Sequence, residues 1–159
     1  MADIKRSIRS VKLGPSPPAT SPATTASMKG NRASDTGPEK SLRMELRTQG
    51  LTGYRLNWKK AAGRPDIAFP GKKVAIFVHG CFWHRCPRCN LPLPKSNSEF
   101  WGKKFKLNQE RDAEKVRILR EEGWKVLEIW ECEIKESPRS CADRVRLLLS
   151  DNCEGEVEA

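Results

Sequence analysis

The segment Gly63–Cys89, GRPDIAFPGKKVAIFVHGCFWHRCPRC, sets both the strand pairing and the chemistry of this 159-residue chain. It packs together a lone Asp, two His, three Cys, a Phe-Trp pair and five Lys/Arg (Arg64, Lys72, Lys73, Arg85, Arg88). Pro70-Gly71 reads as the turn of a hairpin, because Pro presets φ at the second turn position and Gly accepts the positive φ that follows. Val74, Ile76 and Val78 alternate with Ala75, Phe77 and His79, which is the period of a strand. With residues 70 to 73 as the loop, Phe69 faces Val74 and Asp66 faces Phe77. His79 then lies one diagonal step from Asp66 on the same sheet face, roughly 7–8 Å away between Cα atoms, a gap that a water or a metal ion can bridge.

Outward from the hairpin, Thr36 with Glu39 three residues on makes a capping box, with Pro38 in the first turn. Leu42 and Leu46 form that helix's buried stripe and Gly50 its stop. Tyr54, Leu56 and Trp58 alternate as a strand. Ser96 to Glu99 offers another cap, opening a segment with Phe100, Trp101 and Phe105. A charged helix over 108–122 follows, with Val116 and Leu119 inward and Gly123 at its end. Lys125 to Trp130 is a strand apolar enough for a central position, and Pro138 opens a last helix with the stripe Cys141, Val145, Leu148 and Leu149. Helix, three strands, helix, strand, helix predicts a mixed sheet with helices on its faces, an α/β/α layer fold.

The length allows one domain with a core and is short for two. Lys plus Arg number 30 against 20 Asp plus Glu, a net charge of +10 that favours a polyanionic partner. No run of about 18 apolar residues exists, so no membrane span is expected. Lys5, Arg6, Arg9 and Lys12 precede Pro, Ser, Thr and Ala without an apolar stretch, unlike a secretory signal. The expected setting is cytoplasmic, with the six Cys as reduced thiols or metal ligands. Residues 13 to 27 (LGPSPPATSPATTAS) hold four Pro and no charge. Residues 1–27 are therefore read as a disordered extension, 28–150 as the domain and 151–159 as a flexible tail.

Cys86 and Cys89 form a CxxC pair, Cys81 lies five residues upstream, and Cys132 closes a distant strand. Four thiolates at about 2.3 Å would enclose one tetrahedral Zn²⁺ and leave no open position, so the predicted role is structural. CxxC also serves as a redox pair, but that leaves Cys81 and Cys132 unexplained; the lesser reading of Cys132 is a buried small hydrophobe. Cys141 on its apolar stripe and Cys153 in the tail are not expected to be ligands.

Chemistry then needs another centre. Asp66 opens an apolar strand, where a bare charge is costly without a partner, and a hard cation such as Mg²⁺ would supply one. His79 and His84, the chain's two histidines, fall beside it and could move protons near neutral pH, as a phosphodiester hydrolase requires. On residues alone, Asp66 reads equally as an ordinary turn or cap residue. Phe82 and Trp83, in a loop pinned by metal ligands, either wedge between base steps or pack beneath the loop.

The segments GRPDIAFP, VAIFVHGCFWHRCP, SEFWGKK, NQERD and EEGWKVLEIWEC, in that order, resemble the very short patch repair endonucleases. These nick DNA at G:T mismatches left by deamination of 5-methylcytosine. The resemblance covers roughly Met28 to Glu133. It implies a three-layer α/β/α restriction-endonuclease-like fold with a mixed central sheet and a structural zinc site. By the same resemblance, Asp66 is the metal-binding catalytic carboxylate, the Val78 carbonyl a second Mg²⁺ ligand, and His79 and His84 the active-site histidines, with His84 the better placed to activate water. Glu39 matches an acidic residue that orients water at the metal, and Cys81, Cys86, Cys89 and Cys132 match the zinc ligands. Phe82, Trp83 and Trp101 match aromatics that enter the duplex from the major groove, and Met28 a wedge from the minor groove.

The implied activity is a Mg²⁺-dependent nick 5′ to the mispaired thymine by a monomer that meets double-stranded DNA and general mismatch-repair proteins. Two other readings fit the residues: a restriction-type nuclease without mismatch preference, and a non-catalytic zinc-dependent DNA-binding module.

Overall fold

A computed structural model describes residues 13–151. At its centre, β2 (Ile67–Phe69) and β3 (Val74–His79) form the expected antiparallel hairpin, with Phe69 opposite Val74, Ala68 opposite Ala75 and Ile67 opposite Ile76. The turn differs from the expected one. Pro70–Lys72 is a single 3₁₀ turn closed by Lys73 N–H on the Pro70 carbonyl, and Lys73, not Gly71, takes the left-handed conformation at φ 49°. The residue leaving an i→i+3 turn must reverse the chain direction, so the positive φ falls there.

β1 (Arg55–Leu56) pairs with β2, and β4 (Lys125–Trp130) runs parallel to β3, giving a mixed sheet of order β1-β2-β3-β4. The expected strand through Trp58 is cut short at Asn57, whose φ of 45° turns the chain away. The central position expected for β4 is also corrected. β4 pairs only with β3 among the described residues, and its apolar side chains are covered by helices above and below rather than flanked by strands.

One apolar cluster joins Ile67, Phe69, Val74, Ile76 and Ile129 of the sheet to Leu42 and Leu46 of α2 (Gly37–Thr48) and Val145 of α5 (Pro138–Ser150). The alternate residues of the same strands, Ala75, Phe77 and Val126, gather with Leu119 of α3 (Ser98–Glu121), Trp58 and Trp124. Strand periodicity thus sends successive residues to opposite clusters. The capped segment from Ser96 and the charged helix expected over 108–122 are one 24-residue helix, α3. Its polar face and its apolar face are read from different residues, which divides the sequence signal. The short α4 (Glu131–Glu136), which carries Cys132, was not expected.

The disordered reading of residues 13–27 is corrected at its C-terminal end, where α1 spans Pro22–Gly30. The Ser21 side chain accepts from Thr24 N–H and Pro22 stands in the first turn, a start signal that composition masked. Lys5, Arg6, Arg9, Lys12, Cys153 and nearly all of the proposed tail lie outside the described residues. Among the described residues no helix is long and apolar enough to cross a membrane.

Candidate active site

Asp66 enters β2 directly after the buried Pro65, and its backbone carbonyl accepts from Asn57 N–H at 3.1 Å. Its Oδ2 accepts from Val78 N–H at 2.7 Å, tying the carboxylate to the neighbouring strand. Burial pushes Asp66 up to about 6; the Val78 N–H opposes this and the nearby Glu39 charge adds to it. A carboxylate this short of solvent is one that a cation would stabilise.

His79 ends β3 on the same sheet face as Phe77 and is buried, its ring stacked parallel to Phe77 at 6.2 Å. Its Nε2 meets Glu128 Oε1 at 3.0 Å, across the parallel pairing with β4. His84 comes from the loop that follows, where His84 N–H returns to the Gly80 carbonyl at 3.1 Å. The two imidazole centroids are 4.5 Å apart. His84 Nδ1 is hydrogen-bonded to Asp112 Oδ2, and the other oxygen of Asp112 faces Lys115 Nζ at 3.3 Å. Burial works to raise Asp112, but the His84 bond and the His84, His79 and Lys115 charges hold it below the usual carboxylate range.

A cleft of about 1030 Å³ brings Asp66, Val78, His79, His84 and Glu39 onto one wall system with Lys115. Sequence reading expected the first five together. Glu39 is buried with both oxygens occupied locally: Oε2 accepts from Asp35 N–H at 2.9 Å and Oε1 from the Thr36 hydroxyl at 3.0 Å. Its cap role and its place beside Asp66 are therefore served by the same carboxylate.

The four expected sulfurs of Cys81, Cys86, Cys89 and Cys132 lie within 4.8 Å of one another, with Cys86 and Cys132 3.8 Å apart. A tetrahedron with 2.3 Å bonds has edges of about 3.8 Å, so the donor set suits Zn²⁺. Burial pushes Cys81 up to about 12. Burial would also raise Cys86, but the backbone N–H groups of Cys89 and Arg88 outweigh it and lower the thiol. Cys141 is apart from this set, 2% exposed in the apolar core.

Phe82, Trp83 and Trp101 form a half-buried aromatic cluster with ring separations of 5.1, 6.0 and 6.4 Å, seated on the buried Phe105. Asn108 Nδ2 donates to the Trp83 carbonyl at 3.0 Å and fixes the loop to α3. Met28 of α1 lines a separate cavity of about 910 Å³ together with Phe82, Trp83 and Trp101.

Asp112, Lys115 and Glu128 were not singled out from the sequence. The signal for the first was present: Asp112 stands four residues before Val116 and seven before Leu119, on the buried face of α3. A charged residue on such a stripe marks a site in need of a partner. Glu128 similarly interrupts the apolar alternation of β4.

A profile of the DNA mismatch endonuclease Vsr family matches residues 20–90. The chain is similar to the type II nicking enzyme V.XorIIP of Xanthomonas oryzae, 42% identical over 106 residues that cover 66% of this chain and 76% of the relative. It is 40% identical to the type II nicking enzyme V.NmeAIP of Neisseria meningitidis over 74% of this chain and 82% of the relative. It is also 40% identical to the DNA mismatch endonuclease Vsr of Escherichia coli, covering 64% of each chain.

Proposed function

The chain belongs to the Vsr family of DNA mismatch endonucleases and is a DNA endonuclease, and we propose that it nicks one strand 5′ to the thymine of a G:T mismatch in a Mg²⁺-dependent reaction. The observation that carries this reading is the cleft itself: an electrostatically strained Asp66, a His84 braced by Asp112, and an aromatic cluster in the adjoining loop. The relatives named as nicking enzymes support cleavage of one strand.

His84 is the general base in this reading. A carboxylate only accepts, so the proton between Asp112 and His84 belongs to Nδ1, and Nε2 is left with a lone pair to take a proton from water. Asp66 and the Val78 carbonyl would hold Mg²⁺. When bound there, Mg²⁺ supplies positive charge against the phosphate as the attacking oxygen and the leaving 3′ oxygen share it. The products are a 3′-hydroxyl and a 5′-phosphate. Glu39 keeps Asp66 anionic company at the helix start, which deepens the need for that cation. His79 packs against His84 and confines its ring.

Phe82, Trp83 and Trp101 are read as the wedge entering from the major groove and Met28 as its minor-groove counterpart. A weakly stacked mismatch costs least to open, so such a wedge selects it. Cys81, Cys86, Cys89 and Cys132 would hold a structural Zn²⁺ that pins the wedge loop to α4. The proposed frame is a three-layer α/β/α restriction-endonuclease-like domain over residues 28–150, acting as a cytoplasmic monomer with general mismatch-repair proteins as further partners.

Matched and G:T duplexes incubated side by side with zinc-loaded protein test the proposal. A nick confined to the mismatched duplex and appearing only with Mg²⁺ is the expected result. Equal nicking of both would make it a nuclease without mismatch preference, and tight binding without any nick would make it a DNA-binding module.

A further inference from the structure

Glu128 stands in the middle of β4 opposite Phe77, and its side chain shares the sheet face of Val126 and Trp130. That face is otherwise built for burial: Val126 packs in the Ala75–Phe77–Leu119 cluster and Trp130 lies 5.2 Å from His79. The carboxylate keeps 40% of its side-chain surface in solvent, so what marks it is its partner and not a burial penalty. Its Oε1 sits 3.0 Å from His79 Nε2, and it has no part in the chemistry described above.

The geometry has a consequence for both imidazoles. Glu128, like Asp112, can only accept from a neutral ring, so the shared proton resides on His79 Nε2 and the lone pair is left on Nδ1. His84 is held the opposite way, by Nδ1. Two adjacent histidines, 4.5 Å apart, are thus fixed in different tautomers by two carboxylates from different elements, Asp112 on α3 and Glu128 on β4. Glu128 also lines a second pocket of about 770 Å³ that His79, His84 and Asp112 share and Asp66 does not line. Water in that pocket would compete for the His79 nitrogen, and the carboxylate outcompetes it because a charge-assisted bond is the stronger one.

We propose that Glu128 is a positioning residue: its carboxylate locks His79 in the Nε2–H tautomer and ring orientation that the nicking reaction uses. The orientation claim stands on geometry alone, and its link to turnover rests on the nuclease reading above. An amide here offers both an acceptor oxygen and a donor NH₂ and so does not enforce the tautomer, and an aliphatic side chain offers neither.

The test uses full-length, zinc-loaded protein. Long-range ¹H–¹⁵N correlation spectra assign the protonated nitrogen of each histidine in wild type, Glu128→Gln and Glu128→Leu. His79 is expected as Nε2–H in wild type and as Nδ1–H or a mixture in both variants, with His84 unchanged as Nδ1–H. Single-turnover nicking at saturating protein should fall about tenfold or more in both variants, with DNA affinity unchanged. Wild-type His79 found as Nδ1–H, or a His79 tautomer indifferent to Glu128→Leu, overturns the proposal. A shifted tautomer with undiminished nicking overturns its catalytic half. A wild-type protein that binds but does not nick refutes the nuclease reading instead, and the spectra still decide the orientation.

Discussion

Asp112 reaches His84 from 28 residues further along the chain and, with its second oxygen, holds Lys115 at 3.3 Å. One buried carboxylate therefore orients the proposed base and collects a compensating cation from its own helix. Asp112→Asn keeps the shape but can present its NH₂ to the ring, reversing the tautomer so that Nε2 carries the proton. Nicking should drop by about 100-fold or more while DNA binding changes little. A mismatched-duplex nicking assay paired with a binding titration checks this; loss of binding in step with activity would make Asp112 a structural residue only.

Asp66 ties function to a stability cost. Burial raises its pKa from 3.8 to about 6, so without a cation its ionised form weakens the fold. A raised carboxyl pKa makes the penalty absent below about 4, growing as pH rises to about 6, and full above that. Asp66→Asn should remove at most on the order of 3 kcal/mol of penalty at neutral pH and raise Tm by several degrees, while abolishing nicking. The Tm gap should close at pH 4 and narrow when Mg²⁺ binds the wild type. Melting curves across that range, with and without Mg²⁺, measure both trends.

The zinc assignment separates cysteines by chemistry. Cys132→Ser should lose the metal and melt far below wild type, because in such sites metal binding is part of the folding free energy. Cys141→Ser should keep one zinc per chain and lose about 1–3 kcal/mol from burying a hydroxyl in the apolar core. Metal analysis with thermal melts tests both, and a strong chelator should reproduce the Cys132→Ser result on wild type. Unchanged melting after zinc removal would count against a structural role.

Gly63 has φ +70°, and a Cβ there would lie 2.5 Å from Lys115 Cγ. Gly63→Ala should cost about 1–3 kcal/mol, combining left-handed strain with displacement of the Lys115 stem. Because Lys115 also holds Asp112, nicking should weaken several-fold beyond what the lost stability explains. Denaturant melts and nicking rates of Gly63→Ala beside Lys115→Met resolve the two effects.

The order of local events was legible in the sequence because each is governed by residues a few positions apart. Alternation fixed the β2–β3 register, Thr36 and Pro38 fixed the start of α2, and Gly123 fixed the end of α3. Cys81, Cys86 and Cys89 could be grouped by spacing, and Asp66 stood out as a charge at the head of an apolar strand. Cys132 joined the others in sequence reasoning only as a distant sulfur, and its convergence to within 4.8 Å of them comes from α4 turning back at the end of β4. Family resemblance added the residue roles, which spacing could not have supplied.

What the chain alone determined was which strand and helix faces its residues share, since these follow from periodicities of two and 3.6. What only the tertiary structure decided was who holds whom. Asp112 on His84, Glu128 on His79 and Lys115 against Gly63 all join residues from separate elements. Such pairings depend on how α3 and β4 are laid against β3, and no local pattern encodes a hydrogen bond between side chains that meet only after packing.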